Sequence, residues 1–294
     1  MTPTLRAAIW MIGAITAFTL MAVAGRAAAL NLDTFEIMFY RSCVGFAIVM
    51  ACAVGFGTLD QVRADRLGLH FIRNVAHFTG QNLWFYAITV IPLAQVFALE
   101  FTGPIWVILL SPLFLKERIR PLGIAAAIIG FIGILLVAKP GATTISPGLI
   151  AAALCAIGFG LTAILTRLLT KTQTITCILF YLTGMQAIFG LICAGLDGDM
   201  ALPTAITLPW MILIGIAGLT AHFCLTKALS IAPATLVMPL DFLRLPIIAV
   251  VGIILYAEPV DIWVIVGGTL IFAGNSVNIR FGHAKSPKPV PYTP

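Results

Sequence analysis

Eight ionisable side chains lie inside long apolar runs of this sequence: Arg41, Arg73, His77, Glu100, His222, Lys227, Asp241 and Arg244, with Glu36 near the edge of another run. Glu100 sits in "QVFALEFTGPIWVILLSPLFL", residues 95–115, and Asp241 in "LVMPLDFLRLPIIAVVGIILY", residues 236–256. A charge at the centre of a bilayer costs at least about 2.5–3.5 kcal/mol, so such residues turn toward a cavity or a partner. The chemistry on offer is limited. A carboxyl or imidazole can take up and release a proton, which makes Glu100, Asp241, His77 and His222 proton-coupling candidates. A guanidinium presents a planar fork suited to paired oxygens, which makes Arg41 and Arg244 candidate clamps for a carboxylate or phosphate-like group.

Asp241 and Arg244 are three residues apart and share a helix face. They form either a self-neutralising pair that lets the segment insert, or a solute-binding pair; Pro239 and Pro246 bracket them and bend the helix. Glu100 has no basic neighbour within one turn, so it needs a partner from elsewhere or a proton. Arg41 is equally alone. The expected arrangement pairs Arg41 with Glu100 or Asp241 across a central cavity, either as a solute site or as a structural ion pair. Trp84, Tyr86, Phe97 and Phe101 complete the candidate binding set as stacking surfaces, with an interfacial aromatic belt as the alternative for Trp84 and Tyr86. His77 and His222 lack any H-E-x-x-H spacing, so packing or cavity hydrogen bonding stands beside the proton-relay reading. Lys227 and Arg73 are expected to snorkel toward the cytoplasmic ends of their helices.

The elements that must position these groups follow from composition. Of 294 residues, 61% are hydrophobic and 10% charged, against about 25% charged in a soluble domain. Mean hydropathy is +1.08. Apolar runs of about 20 residues recur, each long enough for a ~30 Å hydrocarbon core. Backbone amides in lipid must pair within the segment, and the runs do not alternate as barrel strands do, so the spans are helices. Ten are expected, at 6–25, 34–56, 69–89, 94–115, 121–138, 147–167, 175–195, 207–229, 235–256 and 261–280. With the N-terminus inside, flanking Lys and Arg gather on one side (Arg6, Arg63, Arg66, Lys171 and Lys285 among them), leaving Arg26 and Lys139 outside. The positive-inside rule then makes both termini cytoplasmic. Arg6 and "GRAAAL" imitate a signal peptide, but the first run has a place in the repeat described next and is read as retained. The tail "HAKSPKPVPYTP", residues 283–294, is expected to be disordered. The six cysteines have no metal-ligand spacing and are read as buried structural thiols.

An offset of 141 residues brings the two halves into register. It carries Pro92 onto Pro233, Phe18 onto Phe159, Arg26 onto Arg167, Tyr40 onto Tyr181, Glu117 onto Glu258 and Glu100 onto Asp241. Arg41 falls on the apolar Leu182. Five spans per half is an odd number, so the second half enters upside down, an inverted repeat of the kind that builds transporters. The expected division is residues 1–141, 142–282 and the tail.

Ten spans in that arrangement, with "FYR", "IPLAQVFALEFTGPIWVILLSPLFLKERI", "GFIGILLVAKPG" and "IAPATLVMPLDFLRLPIIAVVGIILYAEPVDIW…GGTLIFAGN", resemble the EamA family of the drug/metabolite transporter superfamily. The resemblance covers residues 5–282, and "FYR" and "LDFLRLP" look closest to the branch with S-adenosylmethionine and riboflavin carriers. It implies a secondary carrier without bound cofactor, in the cell's inner (plasma) membrane, moving a small organic metabolite through a cavity between the halves by alternating access. An amino-acid or drug exporter driven by proton exchange is the alternative within the family. An enzyme lacks support: there is no serine–histidine pattern, zinc motif or nucleotide loop. "LDGD" at 196–199 has Leu196 where the intramembrane aspartyl protease pattern places glycine. A channel would show a charged ring or filter sequence. Nucleic acid is not expected as a partner, because the net charge of +6 forms no basic run interleaved with aromatics. The partners are a small solute and the bilayer; the sequence is silent on oligomeric state.

Overall fold

The computed structural model describes residues 3–115, 121–138, 146–196, 198, 200–234, 237, 240–259 and 261–282, and every regular element among them is helical. In chain order these are α1 (Pro3–Ala28), α2 (Thr34–Gly55), α3 (Leu67–Val90), α4 (Leu93–Glu100), α5 (Gly103–Leu115), α6 (Pro121–Ala138), α7 (Pro147–Leu169), α8 (Ile175–Gly195), α9 (Leu208–Ile231), α10 (Arg244–Tyr256) and α11 (Ile262–Gly282). Short 3₁₀ turns occupy Leu59–Gln61 and Asp241–Leu243. By length and composition α1, α2, α7, α8, α9 and the 93–114 segment can each cross a membrane, and α10 is a shorter apolar helix. The chain is a multi-pass membrane protein. The tail, Lys116, Glu117, Lys139, Pro239, Asp197 and Asp199 lie outside the described residues.

Local chemistry sets several boundaries. Asp33 caps α2, its carboxylate accepting from the Phe35 and Glu36 amides at 2.7 and 2.8 Å. Glu36 reaches back to the Asp33 amide at 2.9 Å, completing a capping box. Its other oxygen accepts from the Ala201 amide, so Glu36 ties a helix start to a loop. Ser146 and Thr174 cap α7 and α8, their hydroxyls accepting from the Leu149 and Cys177 amides.

Two segments depart from the continuous spans expected of the sequence. The 94–115 run is broken after Glu100, where α4 ends, and resumes at Gly103. Glycine is a poor helix former, and a proline at 104 has no N–H to return to the Glu100 carbonyl. The Thr102 hydroxyl instead donates to the Leu99 carbonyl at 2.8 Å. The equivalent place in the second half is the 3₁₀ turn Asp241–Leu243, just ahead of Pro246. Both breaks fall at the intramembrane acid.

The packing obeys the repeat. α1 packs on α9 and α3 on α7, while α2 pairs with α8 and α6 with α11. Under the 141-residue offset the first two pairs exchange and the last two map onto themselves. α3 and α7 approach most closely at two glycines: a Cβ on Gly158 would stand 2.9 Å from the Ala76 carbonyl and 3.0 Å from Gly80 Cα. The Ala152–Ala156–Gly160 stripe is buried, and Gly160 faces the Gly103 carbonyl, the helix contact that small residues permit. α3 owes its place to a polar stripe. His70, Arg73, Asn74, His77, Gln81 and Trp84 recur at three- and four-residue spacing and are all buried, while Phe71, Ile72, Val75 and Val90 face outward. The cysteines divide: Cys155, Cys177 and Cys224 are buried, but Cys43 and Cys52 are exposed. Their faces of α2 point away from the bundle, where lipid accepts a thiol as readily as a methyl group.

One end of the bundle is tied by ions. Arg26, at the end of α1, pairs with Glu258, in the link between α10 and α11. Glu258 also accepts from the Leu93 amide at 3.0 Å, and Arg26 donates to the Ile91 carbonyl at 3.3 Å. The Arg26 guanidinium lies 4.6 Å over the Tyr256 ring. At the opposite end its repeat counterpart, Arg167, donates to the Leu229 carbonyl at 2.5 Å.

Candidate functional site

Three elements bring their polar groups to one point near mid-bundle. The 3₁₀ turn puts Asp241 and Arg244 one above the other, since i and i+3 eclipse at three residues per turn. Arg244 Nη2 donates to Asp241 Oδ2 at 2.6 Å and to Glu100 Oε1 at 2.6 Å. From α3, the Trp84 indole N–H donates to Glu100 Oε2 at 2.7 Å. Glu100 therefore finds its charge partner on the other half of the chain and a neutral donor on its own half. The guanidinium, 2% exposed, is walled by rings: its Cζ lies 4.9 Å from the Phe18 ring centre, 4.7 Å from Phe97 and 5.5 Å from Phe101. Cation–π attraction is strongest in such desolvated settings.

This cluster borders a cavity with about 60 Å³ of space open to water. Its lining runs from Trp84, Glu100, Asp241 and Arg244, past Phe18, Phe159, His77 and His222, to Arg73, Thr166 and Thr226. Thr166 lies one turn from the end of α7, so the cavity extends away from the Arg26–Glu258 end. His77 and His222 meet edge to face, ring centres 4.6 Å apart and planes at 88°. Both His77 ring nitrogens, His222 Nε2 and Asp241 Oδ1 are buried without a hydrogen-bond partner. Phe18 stands 5.5 Å from His222 and Phe159 6.0 Å from His77. These two phenyls are repeat counterparts and flank the histidine pair.

The remaining candidates are placed differently from expectation. Arg41 pairs with neither acid: its Nη2 donates to Gln81 Oε1 at 2.9 Å, and Nη1 approaches Met21 Sδ at 3.7 Å. It lines a smaller neighbouring cavity with Gln186 and His222. Arg244 takes both acids, Asp241 within its own turn and Glu100 from α4. Room for the Arg41 guanidinium comes from Gly218, the repeat counterpart of His77, where an added Cβ would stand 3.0 Å from Arg41 Nη1. Tyr86 is 40% exposed and faces outward, on the opposite side of α3 from Trp84 and away from the cavity lining. Phe97 and Phe101 back Arg244 rather than line the cavity. Trp84 is 1% exposed, a core residue and not a belt aromatic. Arg73 does not snorkel. It is 2% exposed and donates to Thr166 Oγ1 at 3.1 Å and Asn74 Oδ1 at 2.9 Å.

Sequence reasoning missed Phe18, Met21, Phe159, Thr162, Thr166 and Thr226 as lining residues. The offset already carried Phe18 onto Phe159, and the α3 stripe gave Arg73 and Gln81 an inward face; both signals were present.

Comparison with known proteins gives this architecture its family. The model of the EamA-like transporter family matches twice, at residues 5–139 and 146–280. The chain belongs to the EamA-like transporter family. It is similar to a riboflavin transporter of Brucella anthropi, 32% identical over 92% of this chain and 97% of the relative. It is also similar to an S-adenosylmethionine uptake transporter of Rickettsia bellii, 25% identical over 82% of each chain. A solved crystal structure superposes with a TM-score of 0.70 at 18% identity, covering 95% of this chain and 99% of that one, a likeness of fold. This EamA-family chain is a metabolite transporter and not an enzyme.

Proposed function

We propose that this chain is a secondary carrier of the inner membrane whose solute is riboflavin or a similar compound with a flat heteroaromatic head, S-adenosylmethionine being the nearest rival. The observation that carries the proposal is the cavity between the halves, bordered by the Arg244–Glu100–Asp241 cluster and flanked by paired phenyl rings. Discontinuous helices whose breaks face the centre of the bundle are where transporters of this architecture bind solute. The relatives named for riboflavin and S-adenosylmethionine support the choice. Of the two candidate clamps for an amino-acid carboxylate, Arg244 is already held by two internal acids and Arg41 lines the neighbouring cavity instead. We read the chain as ten spans, five plus five inverted, in units 1–141 and 142–282, with both ends cytoplasmic.

The cavity volume supports alternating access. A water needs roughly 10–15 Å³ of such space, so about 60 Å³ holds a few waters and no flavin. The halves must part to admit solute. With this orientation the Arg26–Glu258 tie closes the outer end, joining α1, the start of α4 and the α10–α11 link, while the cavity leads inward. Glu100, Asp241, His77 and His222 are the groups able to couple a proton to that movement.

Counterflow tests the reading. Proteoliposomes containing the full chain and unlabelled riboflavin should accumulate labelled riboflavin from outside, and Trp84→Ala should abolish the accumulation. Exchange of a labelled amino-acid mixture, with no exchange of riboflavin or S-adenosylmethionine by folded protein, would overturn it.

A further inference from the structure

His77 and His222 form a cluster of buried polar groups, among the described residues, that makes no hydrogen bond to the Arg244–Glu100–Asp241 site. His77 and His222 are 2% and 5% exposed and line the cavity, with three of their four ring nitrogens unpartnered. Native proteins leave few buried polar atoms unmatched, and each calls for a reason. Gln81 is the neighbouring side chain that interacts with the His77 ring, while His222 Nε2 stays unmatched. The Gln81 oxygen is taken by Arg41 Nη2 at 2.9 Å. Arg73 is directed to Thr166 and Asn74.

We propose that His77 and His222 read the polar edge of the solute's heteroaromatic ring, a run of adjacent N–H and C=O (or ring N) groups such as a pyrimidinedione or aminopyrimidine carries. This rests on the proposed carrier function and names the residues that set its ring specificity. A neutral imidazole offers one donor and one acceptor, so two imidazoles can meet a mixed donor–acceptor edge where two guanidiniums or two carboxylates cannot. Their perpendicular rings, 4.6 Å apart, direct nitrogens along different lines instead of duplicating one. The apolar walls suit the same guest. Phe18 packs against His222 and Phe159 against His77, and both rings line the same cavity, offering carbon surface to a flat ring. The Arg244–Glu100–Asp241 cluster and Trp84, elsewhere in the same lining, are left for the rest of the solute. The repeat adds an independent argument. The counterpart of His77 is Gly218 and that of His222 is Gln81, so the two imidazoles are not symmetry-related copies retained for packing.

The test is equilibrium binding to the purified full chain, read by quenching of riboflavin fluorescence, with S-adenosylmethionine measured by calorimetry. The variants are His77→Phe, which keeps a ring without nitrogens, and His77→Gln, which keeps a donor and an acceptor; His222→Phe and His222→Gln repeat the pair. The second ligand is riboflavin methylated at its imide nitrogen, which lacks the edge N–H. Loss of a buried hydrogen-bond partner predicts about 5- to 30-fold weaker riboflavin binding by the Phe variants. The Gln variants should stay within about threefold of the unmodified protein. The unmodified protein should disfavour the methylated flavin, and at least one Phe variant should no longer distinguish the two. If every Phe variant, still monodisperse and cooperatively unfolding, binds riboflavin as tightly and discriminates as sharply as the parent, the histidine inference is overturned and the carrier function stands. If the parent binds neither riboflavin nor S-adenosylmethionine, the proposed function itself falls, and the inference with it.

Discussion

Replacing Arg244 by leucine should damage the protein far more than replacing either acid that it holds. In the structure one guanidinium serves two carboxylates, each 2.6 Å away, so the cluster already has one more acid than base. Glu100→Gln leaves Arg244 paired with Asp241, and the amide oxygen can still accept from Trp84; the loss is about one hydrogen bond to a charged group, roughly 1.5–3 kcal/mol at most. Arg244→Leu instead strands two carboxylates in a site with almost no solvent access. Breaking a buried pair costs about 3–5 kcal/mol. At roughly 2–4 °C per kcal/mol for a chain somewhat smaller than this one, that is a fall of about 6–20 °C in Tm. The decisive variant is the triple Arg244→Leu, Glu100→Gln, Asp241→Asn, which removes the stranded charges and should recover a large part of the loss. Thermal unfolding of detergent-purified protein, followed by tryptophan fluorescence, reads all three variants against the parent. A Glu100→Gln variant as unstable as Arg244→Leu, or a triple variant no better than the single, would refute the electrostatic account.

Gly158→Ala should lower Tm through overpacking worth about 1–3 kcal/mol, because the new Cβ meets backbone on α3. Gly13→Ala, whose Cβ meets only the flexible Cys224 thiol at 2.9 Å, should cost less in the same assay. In a background without other cysteines, and with the proposed orientation, Met21→Cys should react several-fold faster with an impermeant external maleimide when Arg26→Ala is added, because the tie to Glu258 is lost; unchanged rates would remove that pair from the proposed gating. In the unmodified protein in bilayers, a lipid-soluble maleimide should label Cys43 and Cys52 well before Cys155, with mass spectrometry locating the adducts; equal rates would contradict their exposure.

The helical class and most helix edges could be read from the sequence because lipid forces the backbone to satisfy itself, and hydropathy then reports directly on structure. The repeat was legible for a related reason: Arg26, Pro92 and Glu100 are too costly or too rigid to recur by composition alone. What hydropathy could not report was which face a charge takes. Arg73 looked near enough to a helix end to reach water, yet it lies within the α3 stripe and turns inward to Thr166. Arg41 and Glu100 were both unpartnered along their own helices, and nothing in linear order says that Arg244, already near an acid, serves a second one. The breaks at Glu100 and Asp241 were hidden for a similar reason. Apolar residues continue through them, so the hydropathy trace stays smooth where the hydrogen-bond ladder stops.

The two halves share a scaffold but not a lining. Phe18 and Phe159 are twins across the offset, whereas Arg41 faces Leu182, His77 faces Gly218, Trp84 faces Leu225 and Arg244 faces Gly103. Apart from the paired acids Glu100 and Asp241, a cavity with like walls and unlike polar contents has a polarity of its own. A solute with chemically distinct ends can sit in it one way round, and turning it end for end would set its groups against the wrong partners. Under the proposed alternating access, rocking the halves changes which side of the membrane the cavity meets without exchanging those contents. The same end of the solute therefore leads on import and trails on export, and a molecule identical at both ends gains nothing from the arrangement.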